Sequence, residues 1–192
     1  MNRNIILAGV GGQGLLALAA VIGEAARRLD LHVRQAEVHG MAQRGGVVQS
    51  HLRYADQPLH SNLVRRGTAD LILALEPMEA LRYLPYLSLD GAVVTNDAPL
   101  VNVPDYPEMS FVLREVRRQS THRWVDAAAL AKKAGALRAA NMVMLGAGSP
   151  YLELPEEALI GAIESFFAGK EASIIETNVR AFRLGLAATQ AG

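Results

Sequence analysis

With 192 residues, half of them hydrophobic, the chain suits a single domain spanning residues 1–192 with a substantial core. Its 19 Lys and Arg balance 19 Asp and Glu, which removes any general attraction to nucleic acid or an anionic membrane and, beside so many apolar residues, points to a protein partner that covers surface. It has no cysteine, which excludes disulfides, thiolate nucleophiles, zinc–thiolate sites and cysteine-ligated iron–sulfur clusters in this chain.

Residues 4–10 predict a buried parallel strand. This apolar run is short and passes straight into glycines, so it does not read as a signal peptide. No stretch approaches the ~18 continuous apolar residues of a membrane span, and a cytoplasmic location is expected. Residues 9–14, Gly-Val-Gly-Gly-Gln-Gly, place glycines at 9, 11 and 14 at the strand-to-helix junction. Gly9, Gly11, Gly12, Gln13 and Gly14 therefore form a candidate anion or phosphate loop, because glycine permits the sharp turn and the new helix offers unpaired N–H groups. The alternative is a tight turn that packs helix on sheet and binds nothing. Residues 13–29 predict a helix of good formers, ending at Arg27 and Arg28.

Residues 32–38 predict the second strand. Glu37 stands at roughly the offset, about 20 residues on, where a dinucleotide-binding fold places its ribose-gripping acid. Residues 39–46 form an irregular loop. Residues 47–54 alternate, with Gln49, His51 and Arg53 on one side and Val48, Ser50, Leu52 and Tyr54 on the other, which predicts a strand. Too few residues separate it from the previous strand for a helical crossover, so this edge is expected to be antiparallel or irregular. Residues 70–75 and 91–95 predict buried strands, with a helix at 78–87 between them. Pro99, Pro104 and Pro107 mark a surface excursion over 96–108. Residues 110–113 and 124–126 are weaker strand candidates, and helices are expected at 127–134, 138–147, 155–167 and 171–188. Alternating strands and helices followed by a helical C-terminal third predict an α/β fold: a Rossmann-like doubly wound, mostly parallel sheet.

The segment Glu37-Val-His-Gly-Met-Ala-Gln-Arg-Gly-Gly46 carries the most chemistry. Strand tips of open α/β sheets are where ligands and partners bind. Arg44, flanked by glycine, suits a carboxylate or phosphate bidentately, or ties the loop to a neighbouring carboxylate. Gln43 orients a substrate or satisfies loop carbonyls, and Met41 suits an interface. His39 and His51 are candidate titrating groups. The five histidines show no metal-binding spacing, and neither a Gly-x-Ser-x-Gly elbow nor a Gly-x-x-x-x-Gly-Lys-Ser/Thr loop occurs.

Taken together, the 9–14 and 37–46 motifs and the Ser50-His51-Leu52-Arg53 strand resemble the gamma-type subunit or domain of 2-oxoacid:ferredoxin oxidoreductases. The His-Gly-Met-Ala-Gln-Arg-Gly-Gly form is similar to the beta subunit of the indolepyruvate branch. The likeness extends through Asp70-Leu-Ile-Leu-Ala-Leu-Glu-Pro77, Asn141-Met-Val-Met-Leu-Gly146 and Asn178-Val-Arg-Ala-Phe-Arg-Leu-Gly185, so it spans essentially the whole chain. It implies a complex that converts a 2-oxoacid and CoA to acyl-CoA, CO2 and reduced ferredoxin. Thiamine diphosphate, Mg and 4Fe-4S clusters would be carried by a large alpha subunit and no cofactor by this chain, whose Asp90-Gly91 is only a fragment of the thiamine signature. On this resemblance Arg44 and Gln43 face the 2-oxoacid or CoA. His39, Gly40, Met41, Arg44, Gly45, Gly46, Gln49, His51 and Arg53 face the partner. Ferredoxin and CoA are met through the complex. A free-standing NAD(P)-binding oxidoreductase, resting on the glycine loop and Glu37, and a nucleotide-binding module or scaffold remain the alternatives.

Overall fold

A computed structural model describes residues 1–40, 46–101 and 103–190. Among these, the strands are β1 (Asn2–Val10), β2 (His32–His39), β3 (Val47–Ala55), β4 (Ala69–Ala74), β5 (Leu87–Asn96) and β6 (Thr121–Val125). The helices are α1 (Leu15–Arg27), α2 (Pro77–Tyr83), α3 (Met109–Arg117), α4 (Ala127–Ala134), α5 (Ala140–Gly148), α6 (Glu156–Phe166) and α7 (Ala172–Gln190). No described helix is long and apolar enough to cross a membrane.

The strands form one sheet in the order β2-β3-β1-β4-β5-β6. β1, β4, β5 and β6 run parallel, while β3 pairs antiparallel with both β1 and β2. The expected Rossmann-like sheet is found, with the antiparallel edge that the short 39–46 connection requires. β1 sits in the middle, and Ile5, Ile6, Leu7 and Ala8 are fully buried because helices cover both faces. Ile5 and Leu7 join Leu52, Leu71 and Leu73 beneath α1, α5 and α7, and Ile6 and Ala8 join Ile72, Val93 and Val116 on the side of α2 and α3.

Two expectations are corrected. Residues 110–113 are helical, not extended: Val112 and Val116, four apart, are the buried positions of α3, a period that a four-residue window cannot show. The helix expected over 78–87 stops at Tyr83 and gives way to a 3-10 turn over Leu84–Tyr86, because Pro85 has no N–H to continue the ladder.

The C-terminal third is held by unusually close helix packing. In α5 the run Met142, Val143, Met144, Leu145 is buried all round. A β-carbon added at Gly146 would lie 1.8 Å from the Phe182 carbonyl oxygen on α7, and one at Gly185 would lie 1.9 Å from the Val143 carbonyl oxygen. The two glycines therefore let the backbones meet with no side chain between them.

On the opposite face, Glu76 ends the β4 segment and caps α2. Its fully buried carboxylate accepts from the Glu79 amide (3.0 Å), the Leu100 amide (3.1 Å) and the Tyr106 hydroxyl. One side chain thus fastens the proline-rich excursion to the helix. Burial, and to a lesser extent the charge of Glu76, holds the pKa of Glu79 above the usual carboxylate range, while Arg82 opposes that shift. Glu79 binds its proton more tightly folded than unfolded, so its contribution to stability falls as pH rises from the ordinary carboxylate range through its raised pKa. Glu79→Gln is expected to flatten that slope, so that the variant gains on the parent as pH rises. Urea titrations at pH 5 and pH 8 check this, and an unchanged slope in the variant counts against it.

Candidate functional site

β1 and β4 are parallel neighbours, yet α1 packs on one face of the sheet and α2 on the other. Their carboxyl ends therefore splay into a crevice, the usual ligand position in such sheets. The 9–14 loop lies there. Gly12 and Gly14 have φ of +98° and +83°, which an L side chain adopts only with strain. A β-carbon on Gly14 would also lie 2.6 Å from Asn141 Nδ2.

Gln13 folds back into the loop. Its Oε1 accepts from the Val10 amide (2.8 Å), and its Nε2 donates to the Leu75 carbonyl (3.2 Å), tying the ends of β1 and β4 together. Asn96 continues this work. Its Nδ2 donates to the same Leu75 carbonyl (3.3 Å), and its Oδ1 accepts from the first amide of α4, that of Ala127 (3.3 Å). Asn141, at the start of α5, donates from Nδ2 to the Gly14 carbonyl (3.3 Å).

These residues, with Arg138 and Met144, line a cleft of about 180 Å3. The N-terminal ends of α1, α4 and α5 converge on it, each bringing the partial positive charge of a helix start, although Asn96 and Asp126 already take amides of α4 and Asn141 Oδ1 takes the Met142 amide of α5 (2.9 Å). Arg138 is exposed and has no carboxylate partner among the described residues, and no Asp or Glu contributes to the lining. Asp126 lies just outside and is occupied in capping α4 through the Ala129 amide (2.8 Å). Burial, and then the charge of Asp126, raises the pKa of neighbouring Asp97.

The two glycine-rich motifs meet here. The Gly11 amide donates to the Gly46 carbonyl (2.8 Å), and the Gly40 amide donates to the Val47 carbonyl (2.9 Å). Gly46 is thus tied to the glycine loop, and Gly40 closes on Val47 where β2 gives way to β3. Met41, Gln43, Arg44 and Gly45 lie outside the described residues.

The polar side of β3 is not the open surface that the alternation suggests. His51 is 4% exposed. Its Nδ1 accepts from the Val64 amide (3.1 Å), its ring meets Tyr86 edge-on at 5.4 Å, and burial lowers its pKa. It is therefore neutral, with its proton on Nε2. Arg53 donates to Asn4 Oδ1 (2.7 Å) and to the Ser61 carbonyl (3.0 Å). Residues 59–66 of the same chain cover this face, a role that no motif in that stretch announces. Gln49 stays half-exposed near the carboxyl end of β1, opposite Ala8, and His39 ends β2 at the same rim.

Glu37 does not take the position that a dinucleotide requires. β3 separates β2 from β1, so Glu37 sits one strand further out, opposite Ser50, and accepts from Gln35 Nε2. The glycine loop and the acid that suggested a ribose contact are separated by this inserted strand, and Gln13 already fills part of the turn. Sequence reasoning missed Arg138, Asn96 and Asn141 as cleft residues. Asn141 opens one of the segments that carried the family resemblance, whereas nothing around Arg138 marks it.

A family model for pyruvate ferredoxin/flavodoxin oxidoreductase matches residues 4–188. The chain is 39% identical over 197 residues to indolepyruvate oxidoreductase subunit IorB of Methanothermobacter thermautotrophicus, covering 98% of each. Its fold is similar to a keto/oxoacid ferredoxin oxidoreductase gamma subunit from Geobacter sulfurreducens (TM-score 0.73, 23% identity, 99% of both chains). It is similar also to the 2-oxoglutarate:ferredoxin oxidoreductase of Magnetococcus marinus, solved with 2-oxoglutarate, coenzyme A and succinyl-CoA bound (TM-score 0.80, 23% identity). All of this chain is covered in that match, but only 31% of the longer one.

Proposed function

Because the chain belongs to the pyruvate ferredoxin/flavodoxin oxidoreductase family, we propose that it is the small subunit of a 2-oxoacid:ferredoxin oxidoreductase acting on indolepyruvate or a related arylpyruvate. The end-to-end similarity to an indolepyruvate oxidoreductase subunit carries this reading. The complex would convert a 2-oxoacid and CoA to acyl-CoA, CO2 and reduced ferredoxin in the cytoplasm. The sequence has no cysteine to ligate an iron–sulfur cluster, and no three His, Asp or Glu come together among the described residues. Thiamine diphosphate, Mg and 4Fe-4S clusters are assigned to a large partner subunit, and no step of that chemistry is placed on this chain.

What this chain contributes is position and charge. In this reading the 39–46 loop meets the partner, which is supported by the anchoring of Gly46 to Gly11 and of Gly40 to Val47 at the rim that Gln49 and the end of β2 share. Arg44 and Gln43 orient the 2-oxoacid carboxylate or a CoA phosphate, and the cleft beside the glycine loop accepts an anionic group of the same ligand. Loss of a charge-assisted contact worth about 1.5–3 kcal/mol predicts that Arg44→Ala lowers turnover of the assembled enzyme by roughly 10- to 100-fold. Subunit stoichiometry should be unchanged. Steady-state kinetics measured on the purified complex check this, and wild-type kinetics would remove Arg44 from the site. The subunit assignment itself is tested by copurification. A large brown partner with cluster absorbance is expected, and a colourless chain active alone with NAD contradicts it.

A further inference from the structure

A second, larger hollow adjoins the cleft. It lies between the first turns of α1 and α5, the end of α6 and the start of α7, and holds about 520 Å3. Ligand pockets fall at about 300–1,000 Å3 and combine apolar walls with a few convergent polar groups. Here the walls are Ala17, Phe166, Phe167 and Ile174. The two phenyl rings stand edge to face, 5.1 Å apart. Phe166 is 46% and Ile174 39% exposed, so apolar surface is held open to water rather than folded into the core. At one end the hollow meets Arg138 and Asn141, which it shares with the cleft. No Asp or Glu lines it.

We propose that this hollow is a binding site for a small organic carboxylate with an aromatic or branched aliphatic body. The carboxylate takes the Arg138 guanidinium, whose fork matches it and which no protein carboxylate among the described residues occupies. The body lies against Phe166, Phe167 and Ile174, where an aromatic ring finds edge-to-face partners. Because Arg138 and Asn141 border both spaces, and Asn141 bonds the Gly14 carbonyl, an occupant competes with any anion in the cleft. The proposal rests on the anionic reading of the cleft only through the shared Arg138.

Calorimetry on the full chain with 3-phenylpropionate, propionate and inorganic phosphate tests it. The first two share a head group and differ only in the ring. The phenyl compound is expected to bind at least about tenfold more tightly than propionate. Phe166→Ser and Ile174→Ser should each remove most of that difference, and Arg138→Gln should weaken the phenyl compound by about tenfold. Circular dichroism melts report whether each variant is folded. Equal affinity for the two carboxylates overturns the proposal. So does a phenyl preference that survives both apolar substitutions, or a dimer that Phe166→Ser dissociates, since a second copy would then fill the hollow. Phosphate binding reports on the cleft separately: its loss beside intact phenylpropionate binding refutes the cleft's role and leaves the hollow standing.

Discussion

Gly185→Ala is expected to destabilise the fold by roughly 3 kcal/mol or more, at the upper end of what overpacking a core does. The added methyl would lie 1.9 Å from the Val143 carbonyl oxygen, 2.7 Å from the Val143 carbonyl carbon and 3.0 Å from the Ala147 amide nitrogen. All three are backbone atoms inside α5, so no rotamer change can make room, and the helices must separate. Separation opens gaps around Met142, Leu145 and Phe182, each fully buried, so lost dispersion adds to the clash. Gly146→Ala should behave alike, since its methyl would fall 1.8 Å from the Phe182 carbonyl oxygen. The double variant should cost less than the sum of the two singles, because one separation of α5 from α7 relieves both clashes. Thermal unfolding checks this: in a chain of this size each single variant should melt roughly 6–12 °C below the parent. A shift within 2 °C would mean that the helices do not meet this closely.

The second large effect is expected at Glu76. Glu76→Ala leaves the Glu79 amide, the Leu100 amide and the Tyr106 hydroxyl without their shared acceptor. Each unsatisfied buried donor costs about 1–3 kcal/mol, and the total is less than additive once water enters, so a loss of about 3–5 kcal/mol is expected. The structural consequence is specific. The 97–108 excursion loses two of its fastenings, and limited proteolysis should cut there first while α5 and α7 stay protected. Tyr106→Phe removes one donor and its bond together, and should cost much less than Glu76→Ala. Equal losses in the two variants would refute the shared-acceptor account. Both follow from urea denaturation midpoints.

Much of the architecture is legible in the residues themselves. The apolar runs at 4–10 and 70–75 are buried from both faces and show it in composition, and the glycines of 9–14 mark the turn at which β1 gives way to α1. The short connection after β2 forced an antiparallel edge. What the residues do not display is which strand lies beside which: β3 inserts between β1 and β2, and that insertion moves Glu37 away from the glycine loop. The buried side of His51 was hidden for a related reason. Period-two alternation says that a polar face exists but not that residues 59–66 will fold over it. Of the cleft, the glycines and Gln13 were legible because local geometry requires them. Arg138 and Asn96 were not, since tertiary packing alone brings them in from distant segments.

The placement of β1 between β3 and β4 also governs when the protein can fold on the ribosome. The strand is synthesised before both of its pairing partners, and neither is its neighbour in sequence. The Asn4 amide donates to Asp70 Oδ2 (2.8 Å) across a separation of 66 residues. At roughly 5–20 residues synthesised per second, the apolar segment Ile5–Val10 waits about 3–13 s before β4 emerges to flank it. Until then β1 has at most β3 on one edge and leaves its other edge open, the kind of apolar segment that chaperones bind and that aggregates when they are scarce. Low synthesis temperature or added chaperone should therefore raise the soluble yield of this chain more than any surface substitution would.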